Sequence, residues 1–187
     1  MTDVLVLCTA NICRSPMAAA LLARELSARG AAVSVSSAGM LGSGEPPAPL
    51  AVSAMADWGL DISAHRSRLV SADDLAAADL TLAMARVHLR HAVVTVPAAW
   101  PRAFTLKELV RRGAQIGPRP PGTKLADWLA LAHEGRDRTA LLGDSADDDI
   151  DDPIGGPPQA FAATAALLGD LAGRLAGLCW PAPLPAT

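Results

Sequence analysis

The residues best able to do chemistry stand together near the N-terminus, in Val6-Leu7-Cys8-Thr9-Ala10-Asn11-Ile12-Cys13-Arg14-Ser15-Pro16. A cysteine closes an apolar run, five residues intervene, and an arginine follows before Ser-Pro. Each part has a use. Successive backbone N–H groups in a loop of this kind form an anion nest. The free N–H groups of the next helical turn add positive potential. Arg14 can grip two oxygens of a tetrahedral dianion with its planar fork. A thiol at the base of such a cradle feels the same field, which favours the thiolate, the form that attacks phosphorus. The segment reads as a phosphoryl cradle: Cys8 at its floor, the N–H groups of Thr9, Ala10, Asn11, Ile12, Cys13 and Arg14 around it. The GxxxxGK[ST] pattern of nucleotide-binding loops is absent. A Cys-x5-Arg spacing alone is weak, since Cys is most often a small buried apolar residue. Its place between a strand and a Ser-Pro helix start gives it weight.

Those residues need elements that hold them. Val4-Leu5-Val6-Leu7 reads as a buried strand, Ser15-Pro16 as an N-cap with Pro at the first helical position, and Met17 to Arg29 as a helix stopped by Gly30. Ala32 to Ser36 alternates as a second strand. Strand, loop, helix, strand is the βαβ unit of a parallel sheet. Leu80 to Met84 and Val93 to Val96 read as the third and fourth strands. Helices are expected at 50–58, from Ser71, at 87–91, 104–112, 125–133 and 159–178. Gly113 to Gly122 reads as a loop, and the Asp-rich stretch 144–152 as a solvated acidic loop. The expected fold is α/β: a small parallel four-stranded sheet with helices on both faces, the phosphate-binding loop lying between the first strand and first helix. One domain spans 1–180, and 181–187 form a Pro-rich tail.

Composition narrows the function. The chain has 187 residues, 51% hydrophobic, no Tyr and 3% aromatics, so it offers no stacking platform for single-stranded nucleic acid. Its net charge is −3 with basic residues scattered, which is no nucleic-acid footprint. No uninterrupted apolar run approaches the roughly 18 residues of a membrane span. Nothing before Val4 resembles a secretory leader, and three Cys are too few for a disulfide scaffold. A cytoplasmic protein is expected. His65, His88, His91 and His133 lack metal-ligand spacing and read as surface or structural histidines. The stretch 144–152 lacks the Gly and Glu placement of a calcium loop. No metal or other cofactor is expected.

The loop resembles the active-site loop of the low-molecular-weight protein tyrosine phosphatases, Cys-x-x-Asn-x-Cys-Arg-Ser-Pro. A second family feature, an Asp-Pro loop before the C-terminal helix, has its counterpart in Asp152-Pro153-Ile154-Gly155-Gly156-Pro157. Ser37-Ala38-Gly39, His65-Arg66-Ser67-Arg68 and Phe104-Thr105-Leu106 stand in the order that family has. The resemblance implies hydrolysis of phosphotyrosine on protein substrates through a cysteinyl-phosphate. Cys8 would be the nucleophile, Arg14 the phosphate ligand, and Asp152 the general acid and then base. Asn11 would hold the loop, Ser15 would donate to the thiolate besides capping the helix, and Cys13 would pair with an oxidised Cys8. Three features depart from the pattern. Ala10 stands where Gly is common, Ile154 and Gly155 stand where aromatics commonly follow Asp-Pro, and the stretch 113–149 is longer. Met40 and Leu41 are the apolar candidates for the other wall. An arsenate reductase of the same fold would need resolving cysteines on a mobile segment, for which only Cys179 is available. A non-catalytic phosphate-binding module would have no use for Asp152.

Overall fold

The computed structural model describes residues 1–42 and 44–181. All of the expected tail except Pro181 therefore lies outside the described residues. In chain order the elements are β1 (Thr2–Cys8), α1 (Arg14–Ala28), β2 (Val33–Gly39), α2 (Pro49–Ala56), α3 (Ala72–Ala77), β3 (Leu80–Ala83), α4 (Arg86–Thr95), β4 (Ala103–Thr105), α5 (Leu106–Ile116), α6 (Leu125–His133) and α7 (Pro158–Cys179). The four strands are parallel in the order β2-β1-β3-β4. β1 lies inside the sheet, and Val4 to Cys8 are all buried, as expected of a parallel strand covered on both faces. Val4, Val6 and Cys8 face a large core shared with α1 and α7; Leu5 and Leu7 face a smaller one with Leu75 of α3 and Ala92 of α4. The strand alternation thus assigns helices to both faces.

Two element assignments change. Val93 to Val96 is not the fourth strand. Residues 93–95 end α4, in which Leu89, Ala92 and Val93 are buried at helical spacing while Val94 is 75% exposed. Packing of one helical face overrides the β propensity of the run. The fourth strand is Ala103-Phe104-Thr105, three residues after a 3₁₀ turn at Pro97–Arg102. That is too short for a period-2 pattern to register. The helix expected from Phe104 starts at Leu106, with Thr105 as its cap accepting from the Glu108 N–H at 3.1 Å. It continues past Arg112 to Ile116. Gly113 is used there because a Cβ would stand 2.9 Å from the Trp128 ring of α6.

One buried cation pins the end of the long stretch after α5 to the sheet side. Arg136 lies between the rings of Trp100 and Phe104, 3.7 and 3.9 Å from their centroids, and bonds both Glu108 oxygens at 2.8 and 3.0 Å. α7, at 22 residues, is long and apolar enough to cross a membrane by length and composition, although Asp170 and Arg174 interrupt it. Its apolar face is occupied within the domain: Phe161, Ala165, Leu168, Ala172, Leu175 and Cys179 are buried in the core.

Candidate active site

β1 delivers Cys8 to the C-terminal edge of the sheet, where parallel α/β folds bind ligands. The next residues cross to α1 in a loop fixed by Asn11. Asn11 has φ of 55°, the sole positive φ outside glycine among the described residues. Asn tolerates this conformation better than most residues. The demand falls on Asn11 and not on Ala10, so a methyl at position 10 brings no φ strain. Asn11 is buried and fully bonded. Its Nδ2 donates to Ser15 Oγ at 2.9 Å and to Ser37 Oγ at 2.8 Å, and its Oδ1 accepts from the Arg68 N–H at 3.0 Å. His65 Nε2 lies 2.8 Å from the Asn11 carbonyl. A carbonyl only accepts, so that nitrogen carries the proton. Gly39 closes the loop from β2: a Cβ there would stand 2.8 Å from the Thr9 carbonyl oxygen and 2.9 Å from Asn11 N.

Cys8 Sγ receives the Asn11 N–H at 3.3 Å and lies 2.9 Å from Ser15 Oγ. Since Ser15 Oγ already accepts from Asn11, its own proton is free for the sulfur. Ser15 can therefore donate to a Cys8 thiolate, the role that the resemblance implies for it. It is not the helix cap. α1 begins at Arg14 with Cys13 as N-cap and no side-chain capping bond. The Ser15 hydroxyl is occupied by Cys8 and Asn11, and the first-turn N–H groups are left open. The N–H groups of Ala10, Ile12, Cys13, Arg14 and Ser15 have no hydrogen-bond partner among the described residues. A run of such donors in a mostly buried loop matches the demand of an oxyanion.

Arg14 is buried and stretched across the site. Its Nη1 donates to the Ile150 carbonyl at 3.0 Å, and its Nη2 to Thr9 Oγ1 at 3.3 Å and to the carboxylate of Asp152. Asp152, with its side chain 43% exposed, also accepts the Ile154 N–H on Oδ1 at 3.2 Å, a turn with Pro153 at its centre. Asp151 is exposed and bonds no described residue. The structure thus brings Cys8, Arg14, Ser15 and Asp152 to one place. Leu41, whose N–H bonds the Thr9 carbonyl at 2.9 Å, and Ile154 are exposed beside them.

Four placements differ from, or add to, the sequence reading. The stretch 144–152 is solvated only in part: Asp144, Asp147 and Asp151 are exposed, but Asp148 is buried and ion-paired with Arg86 and Arg111, and Asp149 bonds two backbone N–H groups. Burial alone would raise the Asp148 carboxyl, but hydrogen bonds from Arg111 and Arg86 outweigh it and hold it below the usual carboxylate range. Of the two readings given to the histidines, surface or structural, His88 takes the structural one. It is buried with Nε2 2.9 Å from Thr9 Oγ1, and burial, then Arg14, lowers it to about 4, so it is neutral at pH 7. Nothing in its spacing marked it. Cys13 donates to Met17 Sδ at 3.8 Å. Burial, followed by Asp152 and Cys8, pushes its thiol up to about 12. Cys179 is buried in α7 and likewise raised by burial.

Residues 3–116 match the sequence profile of the low molecular weight phosphotyrosine protein phosphatases. The chain belongs to this family. It is 38% identical over 135 residues to a probable low molecular weight protein-tyrosine-phosphatase, EpsP, of Ralstonia solanacearum, covering 72% of this chain and 90% of that one. It is 32% identical over 174 residues to a protein-arginine-phosphatase of Geobacillus stearothermophilus, covering 92% and 93%. The crystal structure of the T. tengcongensis low molecular weight protein tyrosine phosphatase superimposes with a TM-score of 0.71 at 31% identity, over 94% of this chain and 97% of that one. The family membership accounts for the parallel sheet and for the loop after its first strand.

Proposed function

We propose that the protein hydrolyses phosphotyrosine on protein substrates through a cysteinyl-phosphate. One observation carries the reading: a buried cysteine sulfur that receives two donors stands in a loop of open N–H groups, with an arginine–carboxylate pair beside it. The thiolate of Cys8 attacks phosphorus; the S–P bond forms as the P–O bond to the ring breaks. Asp152 gives its proton to the departing phenolic oxygen. Asp152 then takes a proton from water, whose oxygen attacks phosphorus, and the S–P bond breaks to release phosphate. Donors at the sulfur favour its anionic form, which is the nucleophile of the first step and the leaving group of the second. Arg14 and the loop N–H groups hold the equatorial oxygens. No cofactor takes part. Free buried thiols suit a reducing compartment, and a cytoplasmic location belongs to the proposal.

The apolar side chains of Ile12, Leu41 and Ile154 suit a phenyl ring. A phosphoarginine side chain presents N–H donors and calls for acceptors. The extent of the match to the Geobacillus protein-arginine-phosphatase nevertheless makes phosphoarginine the second reading. Rates on one peptide carrying either phosphotyrosine or phosphoarginine decide between them; faster turnover of the phosphoarginine form replaces the first reading.

The acid assignment is tested by leaving group. General acid help amounts to about 10²–10⁴ in rate and matters most for a basic leaving oxygen. Asp152→Asn is therefore expected to slow phenyl phosphate by about that factor and p-nitrophenyl phosphate far less. Asp151→Asn, altering an exposed carboxylate that bonds nothing, is expected to match wild type on both. A crippled Asp151 variant would shift the loop register by one residue.

Peroxide tests Cys13. Oxidation of Cys8 to the sulfenic acid, followed by attack of the Cys13 sulfur, gives a disulfide and water, which added thiol reverses. The raised Cys13 thiol makes that second step slow. Cys13→Ser is expected to keep activity but to recover less than wild type after mild peroxide and thiol. Equal recovery would leave Cys13 a packing residue.

A further inference from the structure

We infer that the acidic run before the Asp-Pro pair is a clamp that fixes where the Asp152 carboxyl stands, with Asp148 as its central positioning residue. The inference rests on Asp152 as the general acid. Asp148 is 6% exposed, and both its oxygens are taken by arginines from different helices. Oδ2 accepts from Nε of Arg86, the first residue of α4, at 2.8 Å and from its Nη2 at 2.7 Å; Oδ1 accepts from Nη2 of Arg111 in α5 at 2.7 Å. Asp149 Oδ1 accepts the Arg86 N–H at 2.7 Å, one of the free donors of the first turn of α4, and Oδ2 accepts the Ser145 N–H at 2.9 Å. The carbonyls are held as well. Lys107 Nζ donates to those of Ala146 and Asp149 at 2.5 and 2.9 Å, and Arg111 Nη1 to that of Asp147 at 3.0 Å.

The run then joins the sheet. The Ile150 N–H donates to the Met84 carbonyl at 2.8 Å, and the Met84 N–H to the Leu7 carbonyl at 2.9 Å. Leu7 precedes Cys8. Two hydrogen bonds therefore link the strand that carries the nucleophile to the segment that carries the acid, and Arg14 Nη1 closes the circuit on the Ile150 carbonyl. Only Asp151 separates this anchored residue from Asp152. The arginines and the lysine that hold the run come from α4 and α5, the helices that follow β3 and β4. Like-charged carboxylates would repel one another in a free loop. Here the two that lie inward are each matched to donors that the C-terminal edge of the sheet supplies.

A carboxyl two residues beyond an anchor keeps its place only while the anchor holds, and a misplacement of about 1 Å can lower a rate by roughly 10²-fold. Asp148→Asn is expected to slow phenyl phosphate by about ten- to a hundredfold and p-nitrophenyl phosphate far less. In the Asp152→Asn background the same substitution is expected to add little, because the clamp acts through Asp152. Arg111→Gln, at a side chain 46% exposed, is expected to give a smaller loss of the same selectivity. It decides the matter alone if Asp148→Asn fails to fold. Equal loss across leaving groups, or full additivity with Asp152→Asn, would make Asp148 a purely structural residue and overturn the inference. An active wild type with an Asp152→Asn variant indifferent to leaving group would instead overturn the acid assignment, and the clamp with it.

Discussion

Cys8→Ser protein is expected to bind inorganic phosphate or vanadate much as wild type does and to show no sustained turnover of p-nitrophenyl phosphate. The cradle is backbone, held by Asn11, Ser37, Gly39, Arg68 and His65, and none of these contacts depends on sulfur. What the substitution removes is the sulfur, the atom that attacks phosphorus as its thiolate. Two donors at the Cys8 position favour an anion there, but an alkoxide is far too basic for them to make it the prevailing form. Loss of a nucleophile in a hydrolase costs on the order of 10⁶ in rate. A serine that accepts one phosphoryl group and keeps it would still count as lost turnover, since an alkoxide also leaves poorly in the second step. The measurements are steady-state turnover and a phosphate titration on the same preparation. Turnover within a hundredfold of wild type would remove Cys8 from the nucleophile's place.

The cradle was legible in the sequence because its parts are contiguous. Cys8 through Pro16 run without interruption from the end of a strand into the start of a helix, and residue types in that context pointed to an anion. Long-range partners were not legible in that way. His88 and Ile150 reach the loop from far along the chain, and no local pattern marks a histidine that will be buried against Thr9. The misreading of Ser15 has a related cause. Ser-Pro has the local form of a helix cap, but the competing bond to Cys8 forms only once Asn11 has turned the loop. The stretch 144–152 was read by its charge. Solvation is the usual fate of clustered carboxylates, and the arginines that take Asp148 inward lie 37 and 62 residues away in sequence. In the sheet, the parallel direction followed from the first βαβ unit, and the count of four rested on separate apolar runs, the last of which is not a strand. The identity of the fourth strand was not legible, because three residues carry no periodicity and the β-branched run ahead of them was claimed by a helix face.

Arg14→Lys is expected to be crippled on activated and unactivated substrates alike, which separates it from every change at the acid. A lysine keeps the positive charge, so a purely electrostatic role would survive the exchange in large part. The guanidinium does more than carry charge. Nη1 holds the Ile150 carbonyl at 3.0 Å while Nη2 faces Thr9 Oγ1 and Asp152. One planar group therefore ties together the phosphate loop and the acid loop. A compact ammonium cannot occupy both ends of that span, and it cannot present two parallel N–H donors to a phosphoryl group. Two losses follow: transition-state charge at the equatorial oxygens goes unmatched, and the Ile150 anchor loosens. An arginine that stabilises phosphoryl transfer is worth about 10³–10⁵ in rate in comparable chemistry, and a loss of at least about 10³ in kcat/KM is expected here on p-nitrophenyl phosphate. Phosphate affinity, measured by competition, is expected to weaken as well, whereas in Cys8→Ser it is retained. If Arg14→Lys instead keeps its rate on p-nitrophenyl phosphate and fails only on phenyl phosphate, the arginine acts by placing the acid loop alone, and the phosphate is held by the backbone N–H groups without it.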